Sequence, residues 1–484
     1  MMKTIRSFDK LSEECGIFGI VTSSDEAAGI TYNALLALQH RGQEGAGIAI
    51  QKDGSILYHK NVGLVSEVFN SEVLSRLPKA HMAIGHVRYS TTGTNSQKNT
   101  QPMITEYLKG RIATAHNGNI VNAAEIKEKL VSVGCNFAAT NDSEVISSLI
   151  GWEALRGESV EDAVADAAKQ LRGAFSLVVL SSRNKLIAFR DGAGFRPLCL
   201  GKNEHGWAVA SESCGLDSAG FTFVRDIKPG EMIIINPDGS IQSRMVIEHQ
   251  KKGLCIFEYV YFARTDSVID GLSVYNARIA MGRQLAREYP VDADIVCGVP
   301  DSGLEAAMGY AQESGLPFQF GFVKNRYIGR SFIFPSQQQR DAAVRLKLNP
   351  LAVNLQGKRV VLVDDSIVRG TTSAKIIKSL KQAGASEVHL RISSPPFKHT
   401  CHFGTDIDSE ENLIANQLDL DAICRQIGAD SLGYISIDGL KKACTGCGLS
   451  FCTGCFTGEY PVDIGSSHTK AQFEDISSGE ISSF

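Results

Sequence analysis

The chain has 484 residues, 43% of them hydrophobic and 21% charged, with a formal net charge of −4. At a prior of about 150 residues per domain, two or more domains are expected; the composition excludes a disordered or fibrous chain, and the small negative charge offers no electrostatic footprint for nucleic acid. No stretch approaches the roughly 18 apolar residues that cross a membrane, and residues 1–14 lack the apolar core of a secretion signal, so the expectation is a cytoplasmic protein with neither membrane nor nucleic acid as partner.

In that compartment the 12 Cys are expected as thiols available to metal or catalysis rather than as disulfides. From Cys15 the chain alternates β-rich runs (CGIFGIV, GAGIAI, MAIGHVRYS, RIATAHNGNI, FSLVVLSS, KLIAFRDG, EMIIINP) with helical patterns near 26–39, 122–134 and 143–171. Many strands interrupted by few helices predict stacked sheets with helices outside.

Five segments here, CGIFGI at Cys15, QHRGQEG (39–45), GHVRYSTTG (85–93), HNGNI (116–120) and TNDSE (140–144), resemble the class II glutamine amidotransferases. The resemblance implies an αββα Ntn-hydrolase domain whose Cys is the first residue of the mature chain. The chemistry agrees with that placement, because an α-amino group with a pKa of about 7.7 to 8.0 is poised to serve as base for the thiol. Residues 1–14 are therefore expected to be a propeptide, removed between Glu14 and Cys15; a buried structural cysteine is the alternative. Glutamine presents a carboxylate, for which the resemblance implies Arg88, and an α-ammonium, for which it implies Asp142. The oxyanion formed on thiolate attack would fall to Asn117 Nδ2 and the N–H of Gly118. Taken alone, HNGN also suits a type I′ hairpin turn. Arg41 is a further candidate glutamine contact, or equally a structural ion-pair partner.

Past EHQKKG (248–253) the pattern changes to ADIVCGVP (293–300), RVVLVDD (359–365) and VHLRIS (388–393), separated by helices near 303–314 and 373–383. Strand, helix, strand at this spacing implies a parallel sheet, with domains at 15–250 and 251–464. The stretch VVLVDDSIVRGTT (360–372) describes a buried strand, a polar loop and a helix start. Hydroxyls and N–H groups of Thr371, Thr372 and Ser373 would favour a phosphate, and Gly370 would let the backbone approach it. Asp364 and Asp365 suit ribose hydroxyls or a hard cation. A capped core helix would explain the Thr residues, but not paired acids at a strand end, where sites in such sheets lie.

These thirteen residues resemble the phosphoribosyl pyrophosphate (PRPP) motif of type I phosphoribosyltransferases. The resemblance implies PRPP on Asp364, Asp365, Arg369, Gly370, Thr371 and Thr372, and one Mg²⁺ per subunit on Ser302, Asp364 and Asp365. On its spacing alone Ser302 is as good a helix N-cap. Residues 324–340, KNRYIGRSFIFPSQQQR, suit a lid that excludes water, or a solvated basic loop.

Both halves together, with CIFEYVYFARTDS (255–267) between them, resemble the amidophosphoribosyltransferase family from Cys15 to about Asp463. The resemblance implies glutamine hydrolysis at Cys15 and passage of ammonia to C1 of PRPP, giving 5-phosphoribosylamine, glutamate and pyrophosphate at the start of purine biosynthesis. It also implies inhibition by purine nucleotides and a homotetramer. One branch of the family carries a [4Fe–4S] cluster, for which Cys255, Cys401, Cys452 and Cys455 are the implied ligands. Cys444 and Cys447 form a second C-x-x-C and leave a local four-cysteine zinc site open, although FTGEYP after Cys455 follows the family. Cys135, Cys199, Cys214, Cys297 and Cys424 read as core, and residues 465–484 as a disordered tail. Two other readings are a glutamine-fed sugar isomerase, to which the 360–372 motif is foreign, and a PRPP-sensing regulator without catalysis, which would not need Cys15 and its companions.

Overall fold

The computed structural model describes residues 15–89, 96–157, 159–248, 251–325, 348–407 and 409–465. The expected propeptide, residues 90–93 of GHVRYSTTG, most of the expected lid and the tail beyond 465 lie outside these.

Two antiparallel sheets form the first half. One has seven strands in the order Thr222–Asp226, Cys199–Asn203, Gly206–Ala210, Gly16–Thr22, Met82–Arg88, Gly45–Lys52, Ser55–Val62. The other has six, Ile241–Met245, Glu231–Ile235, Lys185–Arg190, Gly173–Ser181, Gly110–Ile120, Met103–Tyr107. The period-2 alternation of GIFGIVT explains how they stack. Ile17 and Val21 join Ala113, Ala115, Val178 and Leu180 in the layer between the sheets. Phe18 and Ile20 point the other way, under helix Ala27–Ala37. Helices Ala123–Ser132, Asp142–Arg156 and Val160–Gln170 cover the outer face of the second sheet. The result is the αββα sandwich expected from the sequence.

Two local readings change. The helical pattern at 143–171 is two helices. The HNGN segment is no hairpin turn but the end of strand Gly110–Ile120, paired in register with Gly173–Ser181. A two-residue turn needs a partner strand immediately after it, whereas Asn122 here leads into a helix.

In the second half, strands Ile295–Gly298, Arg359–Asp364, Glu387–Ile392 and Ser431–Tyr434 lie parallel in that order. The apolar run VVLV is buried on both faces, as a covered parallel sheet requires. Val361 and Val363 pack with helices Val274–Glu288 and Leu304–Ser314, and Val360 and Leu362 with Thr371–Gln382 and Leu420–Ile427. The expected boundary at 250/251 falls between strands Ile241–Met245 and Leu254–Cys255. Of the cysteines read as core, Cys199, Cys214 and Cys297 are buried, whereas Cys135 and Cys424 are half-buried against core clusters.

Buried ions tie the halves together. Arg41 is fully enclosed and its guanidinium meets both Glu212 of the first half and Glu258 of the linking π-helical turn Glu258–Phe262. Arg190 pairs with Asp270 at 2.7 Å, also out of solvent. Burial alone would raise the Glu212 carboxyl, but Arg41 and His40 outweigh it and hold Glu212 well below the usual carboxylate range.

Candidate active sites and the cysteine cavity

The glutamine-side residues come from four strands or helix ends. Cys15 immediately precedes strand Gly16–Thr22, which pairs Gly16 with Val87 of the neighbouring strand. One step further along, Cys15 meets Arg88 and Tyr89, and its Sγ lies 3.5 Å from the Tyr89 carbonyl oxygen. The second sheet contributes Asn117 and Gly118. His86 on the Cys15 side reaches across, Nε2 to the His116 carbonyl oxygen at 3.1 Å. That contact makes Nε2 the protonated nitrogen, since a carbonyl only accepts. Burial pushes His86 down to about 3, so the ring is neutral.

Asn117 Nδ2 is buried and, among the described residues, has no hydrogen-bond partner. A buried donor left unpaired costs about 1 to 3 kcal/mol, which marks this position for a ligand oxygen. Gly118 has φ +142, and a Cβ there would stand 2.1 Å from the Ala174 carbonyl oxygen, so this strand position admits no side chain. Asp142 opens helix Asp142–Arg156; its Oδ2 accepts from the Ile120 N–H at 3.1 Å, holding the carboxylate beside the same strand. Arg88 and Asp142 are both buried. Arg41, expected either as a glutamine contact or as an ion-pair partner, has the second environment, its guanidinium taken by Glu212 and Glu258.

Sequence reasoning passed over the residues that hold this constellation. Gln101 clamps His116, accepting from its N–H at 2.7 Å and donating to its carbonyl at 3.3 Å, and donates to Ser143 Oγ at 2.9 Å. It thereby joins the strand of Asn117 to the helix of Asp142. Lys60 donates to the Thr100 and Pro102 carbonyls at 2.6 and 3.1 Å, steadying the segment that carries Gln101; burial lowers it to about 8. The QP dipeptide in NTQPM was the one available signal.

In the second half, the strand Arg359–Asp364 delivers Asp364 and Asp365 to the carboxyl edge of the parallel sheet, both buried. Asp365 accepts from the hydroxyls of Ser302 and Ser366. Ser302 is thus directed at the acid pair and does not cap its helix, where Gly303 is the N-cap. Gly370, at φ +82, is the N-cap of helix Thr371–Gln382 with no side-chain cap, and a Cβ there would meet Ile414 at 2.8 Å. The first turn of a 12-residue helix is therefore presented to the acids without a capping side chain, an arrangement suited to an anion. Arg369, Thr371 and Thr372 stand in the same loop and turn. Of the expected lid only its first two residues are described. Lys324 ends the strand Phe322–Lys324, which pairs with Leu348–Pro350, and its Nζ meets Asp301 beside Ser302. The base of that segment therefore adjoins the acids.

Comparison with known proteins matches residues 86–218 to a glutamine amidotransferase domain and 270–393 to a phosphoribosyl transferase domain. The amidophosphoribosyltransferase of Mycobacterium tuberculosis (strain ATCC 25618 / H37Rv) is 47% identical over 463 residues, 93% of this chain and 87% of the relative. That of Archaeoglobus fulgidus is also 47% identical, covering 93% of this chain and 98% of the relative. The chain belongs to the amidophosphoribosyltransferase family. It is an enzyme that aminates PRPP at the expense of glutamine, the first step of purine biosynthesis. The structure of the B. subtilis glutamine PRPP amidotransferase, complexed with ADP and GMP, superposes with a TM-score of 0.86 at 43% identity, covering 94% of this chain and 99% of that one.

A third feature is a cavity lined by thiols. Cys255, Cys401, Cys452 and Cys455 line one cavity, closed by Phe195, Arg196, Phe257, Phe403 and Tyr460. Cys255 and Cys452 are register partners in a short parallel ladder, which brings residues some 200 positions apart side by side. Burial pushes the Cys452 thiol up to about 12, reinforced by Cys401, and raises the Cys455 thiol well above its ordinary value, reinforced by Cys401, Cys255 and Cys452. Thiols so held are neutral until a cation draws their protons off. Tetrahedral zinc with Zn–S near 2.3 Å would set its sulfurs roughly 3.8 Å apart. Among the described residues, no three of these sulfurs approach within 4.8 Å of one another, whereas His40, Glu212 and Cys214 do. Four thiols lining one cavity are a donor set that suits an iron–sulfur centre. The His40 group is already neutralised by Arg41 on Glu212. Cys444 and Cys447 do not line the cavity; Cys444 is core, and Cys447 packs toward Tyr259, whose hydroxyl donates to the Ile269 carbonyl. Among the described residues no helix is long and apolar enough to cross a membrane.

Proposed function

We propose a division of labour in which residues 15–250 release ammonia from glutamine and residues 251–464 consume it. Removal of residues 1–14 frees the Cys15 α-amino group, which takes the thiol proton. The thiolate attacks the side-chain amide carbon of glutamine, whose carboxylate sits on Arg88 and whose ammonium sits on Asp142. Negative charge gathers on the amide oxygen, to which Asn117 Nδ2 and the Gly118 N–H donate. The C–N bond breaks, ammonia leaves with the proton taken from the thiol, and water hydrolyses the glutamyl thioester to glutamate. Neutral ammonia then attacks C1 of PRPP and pyrophosphate departs. Gly370, Thr371 and Thr372 bind phosphate, Asp364 and Asp365 orient the ribose, and Arg369 balances charge in the same loop. Ser302, Asp364 and Asp365 would hold one Mg²⁺, which supplies neutralisation of the pyrophosphate charge.

The observation that carries the glutamine half is the buried Asn117 Nδ2, unpartnered among the described residues, in a strand hydrogen-bonded through His86 to the strand beside Cys15. The four thiols that line one cavity support a [4Fe–4S] cluster on Cys255, Cys401, Cys452 and Cys455, which would supply a structural cross-link between the linking segment and the C-terminal segment. The nucleotides in the B. subtilis complex support inhibition by purine nucleotides. A homotetramer and a cytoplasmic location complete the reading. Intact-mass analysis under anaerobic conditions tests it. A chain starting at Cys15 with bound iron and sulfide is expected, and a Met1 start in fully glutamine-active enzyme would sink it.

A further inference from the structure

The thiol cavity and the oxyanion strand touch. Asn119, one residue past Gly118, is buried and its Nδ2 donates to the His402 carbonyl at 2.9 Å, immediately beyond Cys401. Gly404, at φ +112, packs on the same strand: a Cβ there would lie 3.3 Å from the Gly118 carbonyl carbon and 2.9 Å from Arg196 Nη2. The loop is itself fixed. Arg196 Nη2 donates to the Phe403 carbonyl at 2.6 Å, Phe195 stacks on Phe403 with ring centroids 4.2 Å apart, and the Phe403 N–H reaches Cys401 Sγ at 3.4 Å.

We infer that Asn119 is a positioning residue for the glutamine half-reaction: through His402 it pins the Asn117–Gly118 pair to the loop that carries Cys401. The inference rests on the oxyanion roles given above to Asn117 and Gly118. The physical basis is geometric. Strand Met103–Tyr107 pairs with Gly110–Ile120 only as far as Thr114, so from Ala115 onward the ladder is made on one side alone, by Gly173–Ser181 with Asn119 opposite Ala174; on the other side a buried side-chain amide bonded to a carbonyl supplies Asn119 with a second anchor. An oxyanion donor acts through its placement relative to the developing charge, and a shift of about 1 Å can cost roughly 100-fold. Arg88 stands on another strand, and Asp142, although it accepts from the Ile120 N–H, is carried by its own helix, so substrate binding should depend on this anchor far less than the oxyanion donors do. Ammonia-dependent synthesis should not depend on it either.

The test compares Asn119→Ala, Asn119→Asp, Gly404→Ala and Asn117→Ala in the full-length, cluster-loaded enzyme. In Asn119→Ala the glutamine kcat is expected to fall about 10- to 100-fold with KM within twofold. Alkylation of Cys15 by iodoacetamide, the visible absorbance of the iron and the ammonia-dependent rate should be unchanged. Asn119→Asp keeps the size but loses the donor and should not rescue. Gly404→Ala should reproduce the kcat defect by pressing on Gly118, and it reads the same quantity should Asn119→Ala prove insoluble. An unchanged glutamine kcat in the soluble variants, or an equal loss with ammonia, overturns the inference. An unchanged kcat in Asn117→Ala overturns instead the oxyanion assignment on which it rests.

Discussion

The two halves build their proposed sites in opposite ways. On the PRPP side, one strand, one loop and one helix start supply six of the seven named residues in a continuous run, and only Ser302 is borrowed from the neighbouring strand end. On the glutamine side, Cys15, Arg88, the Asn117–Gly118 pair and Asp142 come from four separate places in two sheets and a helix, held by cross-braces at His86, Gln101 and Asp142. A phosphate asks for backbone donors, which one helix end provides. An amide bond under attack asks for a nucleophile, an oxyanion pair and two charge partners on different sides of one carbon, which no single segment can surround. A local site therefore depends on a local motif, and a distributed site on the integrity of the whole sandwich.

The largest effect should fall where the halves meet. Arg41→Met leaves the Glu212 and Glu258 carboxylates buried without their shared cation, a loss of about 3 to 5 kcal/mol. Chemical denaturation should report it, and both activities should fall together; a glutamine defect alone with unchanged stability would return Arg41 to the substrate. Next in size, Asn117→Ala should lower the glutamine kcat about 100- to 1,000-fold while ammonia-dependent synthesis persists. Steady-state assays with each nitrogen source separate the two. Asp364→Ala should weaken PRPP use at least about tenfold with either nitrogen source, since a charge-assisted contact is worth about 1.5 to 3 kcal/mol; a PRPP titration measures it. Smallest of all, Arg76→Ala removes an exposed pair with Glu72 and should move stability by less than about 0.5 kcal/mol. A larger shift would mean that surface charge, not the braced interior, governs this sandwich.

What the sequence made legible follows the same division. VVLVDDSIVRGTT carries its strand, turn and helix start in adjacent residues, so the local pattern reads directly. The glutamine residues were legible as types in short motifs, but their braces were not. Gln101 and Asn119 act on backbone atoms remote in sequence, and no local spacing encodes that a strand edge needs an anchor 283 positions away. HNGN misled for the same reason: its turn-forming residues serve a strand whose φ +142 glycine opens room for a neighbouring backbone. The cysteines were ambiguous in sequence because two C-x-x-C pairs lie within twelve residues. The ladder pairing Cys255 with Cys452 turns the second pair to the cavity. A Cys444→Ser variant should accordingly keep iron absorbance that Cys452→Ser loses.

The division of labour proposed above makes the chemistries of the two halves separable. Its most direct test measures phosphoribosylamine formation in folded Cys15→Ala and Asp364→Ala enzymes, with glutamine and then with ammonium salts at alkaline pH, PRPP being varied throughout. Cys15→Ala should be inactive with glutamine and retain the ammonia-dependent rate, while Asp364→Ala should be impaired with both. Loss of the ammonia-dependent rate in folded Cys15→Ala, or an unimpaired Asp364→Ala, would contradict it.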